Sequence, residues 1–86
     1  MSRDLRTIDR NQIRRYRKKR CLRQRDVSEL LGLKQPCDIY RWETGKKLPS
    51  LINALKLSAA LKCPVELLFL EHYKQIQNDM YGDCGD

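Results

Sequence analysis

The amino-acid sequence predicts a compact all-α fold of five helices with a short helical extension at the C-terminal end. No stretch alternates apolar and polar residues as a half-buried strand does, and valine occurs only at positions 27 and 65. Capping residues, glycines and prolines divide the chain into short segments whose apolar residues recur at helical spacing. The 86 residues suffice for one domain, with little room for a deep cleft beside the core.

A basic arm over residues 1–8 precedes the first predicted helix. Asp9 is a candidate N-cap for this helix, which we expect to end near residues 19–20. Ile13, Tyr16 and Arg17 recur at three- and four-residue spacing and therefore share its inner face.

The second predicted helix covers residues 24–31. Its apolar stripe consists of Val27, Leu30 and Leu31. Gly32 follows at the position where a helix commonly ends in a left-handed residue, so we expect the helix to stop there.

The third predicted helix begins at Pro36 and ends at residues 44–45. Proline is tolerated at the first helical position because the N–H it lacks would be unpaired there. Ile39 and Trp42, three residues apart, are expected to point inward. Two short helices separated by a glycine-containing turn are the parts of a helix-turn-helix.

A loop over residues 46–49 leads to Ser50, a good N-cap for a fourth helix over residues 51–61. This helix is rich in aliphatic residues, and several of them are available to the core. The residues predicted to face the core are Leu51, Ile52, Leu55, Ala59 and Leu61.

The fifth predicted helix begins after Cys63 and Pro64, includes Leu67 and Leu68, and can continue to about Asn78. Within it, four apolar residues recur at spacings of four, three and four, as on one edge of a helix. This edge either packs on the domain or pairs with a second subunit, and residues 81–86, with Cys84, are expected to fray. The edge consists of Phe69, Tyr73, Ile76 and Met80.

Positive charge is concentrated at the beginning of the chain, within a net charge of +7. Residues 1–25 hold eleven basic and two acidic residues, residues 26–50 hold four of each, and residues 51–86 hold three basic and five acidic. This asymmetry favours a polyanionic partner, above all nucleic acid. A membrane surface is not expected, because the basic helix lacks the broad apolar face that membrane binding requires.

Several other classes of function are not expected. The four cysteines form no Cys-x-x-Cys pair and His72 is the only histidine, so we predict neither a zinc site nor another cofactor. We expect the cysteines to be reduced thiols, as is typical of the cytoplasm. The chain has no run of 18 apolar residues and its first residues lead into charge, which argues against a membrane span and a secretory signal. With no activated nucleophile and no glycine-rich phosphate loop, we expect neither an enzyme nor a small-molecule site.

An ordered series of residues resembles the lambda-repressor/Cro-like helix-turn-helix family, also called the XRE family. With the first helix included, the resemblance covers about residues 9–70, which leaves residues 71–86 as the helical extension and tail. The residues that carry it are Gln24, the Val-Ser-Glu-Leu-Leu-Gly of 27–32, the Ile-Tyr-Arg-Trp-Glu-Thr-Gly of 39–45, the Lys-Lys-Leu-Pro-Ser of 46–50, Leu55, the Ala-Ala-Leu of 59–61 and residues 65–68.

The resemblance implies sequence-specific binding of double-stranded DNA, with the third helix in the major groove and the second across the backbone. Proteins of this type usually bind as a homodimer on a two-fold symmetric operator and act as repressors or autoregulators. We therefore expect a DNA-binding transcriptional regulator.

The resemblance also implies roles for individual side chains. Arg10 and Arg14 of the first helix are added as phosphate candidates because the positive charge lies there. The base-reading candidates are Cys37, Asp38, Tyr40 and Arg41, and the other phosphate candidates are Gln24, Lys34, Gln35, Lys46 and Lys47.

Arg17 and Glu43 match an ion pair between the first and third helices of the family. The same pair follows from elementary chemistry, because a carboxylate beside Trp42 at the edge of the core requires a partner and Arg17 is a forked donor on the inner face of the first helix.

The sequence departs from the family pattern in three places. One additional residue lies between Gly32 and Glu43, and we place it in the turn. Arg23 and Gln35 stand where Ser or Thr usually caps the second and third helices. Asp38 can accept a hydrogen bond from a cytosine amino group but repels phosphate.

These departures leave two alternatives open. In one, Arg3 and Arg6 of the arm reach the minor groove or the backbone, and the first helix grips phosphate. In the other, the fold is kept but the third helix contacts a protein partner, as in an antitoxin-like or adaptor module.

Overall fold

The computed structural model describes residues 11–82, and within them every regular element is a helix. The arm with Arg3 and Arg6, the Asp9 cap, Arg10 and Cys84 lie outside the described residues. The six helices of the described part are α1 (Ile13–Lys19), α2 (Gln24–Leu31), α3 (Cys37–Glu43), α4 (Leu51–Leu61), α5 (Val65–Leu68) and α6 (Leu70–Tyr81).

The first helix starts later than a cap at Asp9 predicts. Asn11 lies just before α1, and its side-chain Oδ1 accepts a hydrogen bond from the Ile13 N–H at 3.1 Å. Its Nδ2 donates to the Trp42 carbonyl at 2.7 Å. Asn11 therefore both satisfies a free N–H at the start of α1 and ties that start to the end of α3.

The helix-turn-helix follows the predicted boundaries closely. Gly32 ends α2 with a φ of 75°, in the left-handed region that favours glycine. The start of α2 has no Ser or Thr oxygen to accept a helix N–H, but the Asp26 carboxylate accepts the Arg23 backbone N–H at 2.8 Å, which is the reciprocal half of a capping box. Pro36 lies one residue before α3 rather than within it, and its carbonyl accepts the Ile39 N–H at 3.1 Å.

The N-terminus of α4 is confirmed, but its predicted buried face is wrong. Ser50 Oγ accepts the Asn53 N–H at 3.2 Å, as an N-cap does. The residues that α4 buries are Ala54, Leu57 and Leu61. Of the five residues predicted to face the core, only Leu61 is buried, whereas Leu51, Ile52, Leu55 and Ala59 are exposed. On α2, Leu30 is likewise exposed rather than part of the buried stripe.

The predicted fifth helix is divided into two. At Phe69 the backbone leaves helical geometry, with φ of −118° and ψ of 50°, and α6 begins with the next residue. The C-terminal extension is thus a separate helix of 12 residues.

One apolar core joins α1 to α5 and seats α3. Ile39 is fully buried and Trp42 is 3% exposed, so the inner face of α3 is packed against the other helices. Burial also raises the pKa of the Cys63 thiol. The core residues are Ile13, Val27, Leu31, Ile39, Trp42, Leu57, Leu61, Cys63 and Leu68. None of the described helices has the length and apolar character needed to span a bilayer.

Candidate nucleic-acid interface

The outer face of α3 is exposed while its inner face is fixed. Tyr40 is 49% exposed and Arg41 is exposed, whereas Cys37 and Asp38 at the start of the helix are half-buried. Because Ile39 and Trp42 hold the opposite face in the core, α3 presents Tyr40 and Arg41 to solvent in one orientation.

Arg41 is tethered by its own helix. Its guanidinium Nη1 lies 3.5 Å from Asp38 Oδ1, one turn earlier. Such a half-exposed pair adds little stability. It does restrict the direction of the guanidinium, and it occupies the carboxylate that would otherwise repel a phosphate.

The loop after α3 folds back onto the helix and places two lysines beside its exposed face. Gly45 adopts a φ of 76°, which reverses the chain. The N–H groups of Lys46 and Lys47 both donate to the Arg41 carbonyl, at 3.0 and 3.3 Å. Lys46 Nζ lies 5.6 Å from the centre of the Tyr40 ring, within cation–π distance.

A buried polar network locks α1, α2 and α3 together. Arg17 Nε lies 2.5 Å from Glu43 Oε2, and Arg17 Nη2 donates to Oε1 at 3.2 Å. Only 10% of the Arg17 side chain and 4% of the Glu43 side chain are exposed. Arg17 Nη1 also donates to the Leu22 carbonyl at 2.9 Å. The expected ion pair is thus a bidentate one, with a third hydrogen bond that satisfies the guanidinium.

Gln24 takes part in this network instead of pointing away from the body. Its Nε2 donates to Glu43 Oε1 at 3.1 Å, which connects the start of α2 to the end of α3. A phosphate contact by Gln24 would have to use the second N–H of the same amide.

Arg14 lies on the same surface as the outer face of α3. It lines one shallow depression together with Gln24, Tyr40 and Thr44, above the Arg17–Glu43 pair. Arg14 is exposed, and no acidic residue of the described part pairs with it. A free cation is therefore available beside Tyr40.

The remaining phosphate candidates of the described part lie in the turn between α2 and α3. Lys34 and Gln35 are exposed, and Cys37 Sγ donates to Gln35 Oε1 at 3.2 Å. Lys34 lines a second shallow depression, with Arg25 and Pro36. Arg10 lies outside the described residues.

Sequence reasoning missed the role of Asn11. Its hydrogen bond to the Trp42 carbonyl supports the last turn of α3, directly below the exposed face. The sequence does indicate a capping role for Asn11, because asparagine is among the preferred N-cap residues and lies two positions before the first buried residue of α1.

The chain matches the model of a known protein family. The model of a family described as Helix-turn-helix matches residues 13–68, which is more than half of the chain. The matched residues include the whole of α1 to α5 and therefore all the described side chains that surround the exposed face of α3. No curated protein matches the chain.

Proposed function

The chain belongs to the lambda-repressor/Cro-like helix-turn-helix family, and we propose that it is a sequence-specific transcriptional regulator that inserts α3 into the major groove of DNA. Domains of this family bind DNA and are not enzymes. One observation carries the proposal. The exposed side of α3, with Tyr40 and Arg41, has the cations of Arg14 and Lys46 beside Tyr40 and Lys47 in the loop that follows, while its other side is fixed in the core.

In this proposal Arg41 is the principal base-reading residue. A guanidinium can donate two hydrogen bonds to O6 and N7 of guanine, the commonest specific contact in the major groove. Asp38, 3.5 Å away, orients it and can accept from a cytosine amino group. Tyr40 and Cys37 complete the surface, with the Tyr40 ring able to contact a thymine methyl group.

Phosphate contacts come from the residues around α3. Lys46 and Lys47 follow its C-terminal end, Lys34 and Gln35 precede it, and Arg14 and Gln24 flank it. Contacts of this kind fix the register of the protein on the duplex but carry no sequence information. The arrangement supports binding across one major groove, with cations on both sides of the inserted helix.

The biological role that fits these features is repression or autoregulation in the cytoplasm, by a homodimer on a two-fold symmetric operator. Two protomers related by a two-fold axis present two copies of α3 to half-sites one helical turn apart. The three cysteines of the described part are free thiols, and a reducing compartment keeps thiols in this form.

A second candidate function is a protein-interaction module, for example an antitoxin-like one. One observation favours it. Leu51, Ile52 and Leu55 are 73%, 60% and 51% exposed on α4, and clustered exposed aliphatic residues are typical of partner surfaces.

A binding titration on duplexes selected from a random pool separates the two functions. DNA binding predicts that the logarithm of the affinity falls linearly with the logarithm of salt concentration, with a slope of about −0.9 per phosphate, hence about −4 for ~4–5 contacts per protomer. Lys47→Ala should make this slope shallower by about one contact. Lys74→Ala on α6 is the matched control and should leave it unchanged. A chain that binds no duplex in a salt-dependent manner would contradict DNA binding and favour the interaction module.

A further inference from the structure

Two apolar surfaces remain exposed on the described part of the chain. The first, the α4 face, consists of Leu48, Leu51, Ile52 and Leu55. The second, the α6 edge, is reduced to Tyr73, Ile76 and Met80, because Phe69 precedes α6 and is partly buried against the core. We propose that the α6 edge pairs with the same edge of a second copy of this chain, antiparallel about a two-fold axis. This inference rests on the proposed function, for which it supplies the dimer interface.

Helix α6 packs mainly against α5. The described residues measure 44 × 21 × 19 Å, so one dimension is about twice the others. At the start of α6, His72 is buried and its ring meets that of Phe69 edge to face, with centroids 5.7 Å apart. At the far end Met80 is 71% exposed. Because a helix this short gains most of its stability from packing, a partner that covers its outer half would stabilise it.

The exposed apolar area is sufficient for a small dimer interface. Tyr73 is 42% exposed and Ile76 is 38% exposed, and the adjoining Tyr81 is 69% exposed. With Met80, these side chains leave roughly 400 Å² of apolar surface uncovered, since large side chains have about 150–250 Å² each. Two such edges with their polar borders bury about 1,000 Å², which is the lower limit for a specific interface.

The spacing of the α6 edge makes it complementary to itself. The exposed residues Tyr73, Ile76 and Met80 follow one another at spacings of three and four, so Ile76 lies near the middle of the edge and two edges can pack in antiparallel orientation. With the two-fold axis near Ile76, Tyr73 of one protomer packs on Met80 of the partner subunit, and a thioether against an aromatic ring is a favourable contact. Ile76 then lies across from its own counterpart.

The distribution of charge favours the α6 edge over the α4 face as the dimer interface. Two copies of a chain with net charge +7 repel each other, so the interface must lie where the local charge is not positive. Residues 44–65, which contain the whole α4 face, include four lysines and no acidic residue. Helix α6 instead carries Glu71, Lys74 and Asp79, and none of these belongs to its apolar edge.

Sedimentation equilibrium of the full chain over a concentration series tests the proposal. The wild-type chain should dimerise, and Ile76→Glu or Met80→Glu should weaken the dimer by about tenfold or more, because each buries a charge at the interface. Leu51→Glu, a matched change on the α4 face, should leave the dimer unchanged. Thermal unfolding checks that each variant is folded. Met80 lies outside the core, so Met80→Glu still tests the interface if Ile76→Glu unfolds the protein.

A charge exchange tests the self-pairing directly. Ile76→Lys and Ile76→Glu chains should each be monomeric, and an equimolar mixture should form a heterodimer, because the two charges then face each other. A wild-type chain that stays monomeric at every concentration would overturn the proposal. So would a dimer that Leu51→Glu disrupts and Ile76→Glu preserves.

The same variants separate this interface from the proposed function. Monomeric Ile76→Glu should still bind a half-site duplex with the salt dependence of a wild-type protomer. A wild-type monomer that binds DNA would overturn the interface alone. A dimer through α6 that binds no duplex would overturn the DNA-binding function alone.

Discussion

Helices α3 and α4 both pack apolar residues into the core, but α3 adds a buried ion pair. Helix α3 buries a carboxylate at its end, Glu43, which Arg17 and Gln24 hold by hydrogen bonds. Helix α4 carries no charge into the core, and its apolar composition exceeds what the core can take, so Leu51 remains 73% exposed. The difference shows that directional contacts add to apolar packing in positioning α3, as a helix that must present particular side chains requires, whereas α4 is positioned mainly by apolar packing.

The largest expected effect is on the polar attachment of α3. Glu43→Ala leaves the Arg17 guanidinium buried without its partner, and we expect a loss of about 3–5 kcal/mol in the free energy of unfolding. Asp38→Ala removes a half-exposed pair on the same helix and should cost at most about 1 kcal/mol. Thermal unfolding followed by circular dichroism compares the two. Equal small shifts would contradict the role assigned to the buried pair.

Two leucines of α4 test the contribution of apolar packing to this helix. Leu57 is fully buried and Leu55 is 51% exposed, so the same substitution should have different effects two residues apart. We expect Leu57→Ala to cost about 2–5 kcal/mol and Leu55→Ala well below that. Urea unfolding measures both. If Leu55→Ala were the more destabilising substitution, the buried face of α4 would be the one predicted from the sequence and not the one in the structure.

A smaller effect is expected at the connection between α1 and α3. Asn11→Ala removes the hydrogen bond to the Trp42 carbonyl and the one from the Ile13 N–H. Each is worth about 0.5–1.5 kcal/mol net, so we expect a decrease of about 1–3 kcal/mol. Urea unfolding is again the measurement, with Gln12→Ala as the neighbouring control. An unchanged midpoint would show that Asn11 does not support α3.

The smallest expected effect depends on pH and lies at the start of α2. Hydrogen bonds from the Arg23 side chain and backbone lower the pKa of the Asp26 carboxyl. Its contribution to stability is therefore present above the usual carboxyl pKa and is lost as pH falls through the lowered value. Asp26→Ala should melt slightly below the wild type at neutral pH, and the difference should disappear in acid. A difference that grew in acid would contradict this assignment.

The sequence predicts helix ends well where a residue has a specific backbone role. Gly32 ends α2, and Ser50 caps α4, because left-handed geometry and an N-cap oxygen are properties of single residues. The inner face of α3 is also predictable, since Ile39 and Trp42 are the large apolar pair at helical spacing. The Arg17–Glu43 pair follows from the cost of an unpaired buried charge.

Other features depend on tertiary contacts that no local pattern contains. Eight of the eleven residues of α4 are apolar, so its periodicity does not determine which face is buried. The break at Phe69 occurs without a proline or glycine at that position, so no local residue pattern indicates it. The hydrogen bond from Gln24 to Glu43 joins two helices and forms only when α2 and α3 pack together.

The central claim, that α3 reads bases while its surroundings grip phosphate, is tested most directly by a ratio of affinities. The wild type, Arg41→Ala and Lys47→Ala are each titrated against a selected duplex and a scrambled duplex at one salt concentration. Arg41→Ala should lower the ratio of specific to scrambled affinity by the about 1–3 kcal/mol that a bidentate base contact contributes. Lys47→Ala should weaken binding to both duplexes and leave the ratio unchanged. A ratio unaffected by Arg41→Ala would contradict base reading by α3.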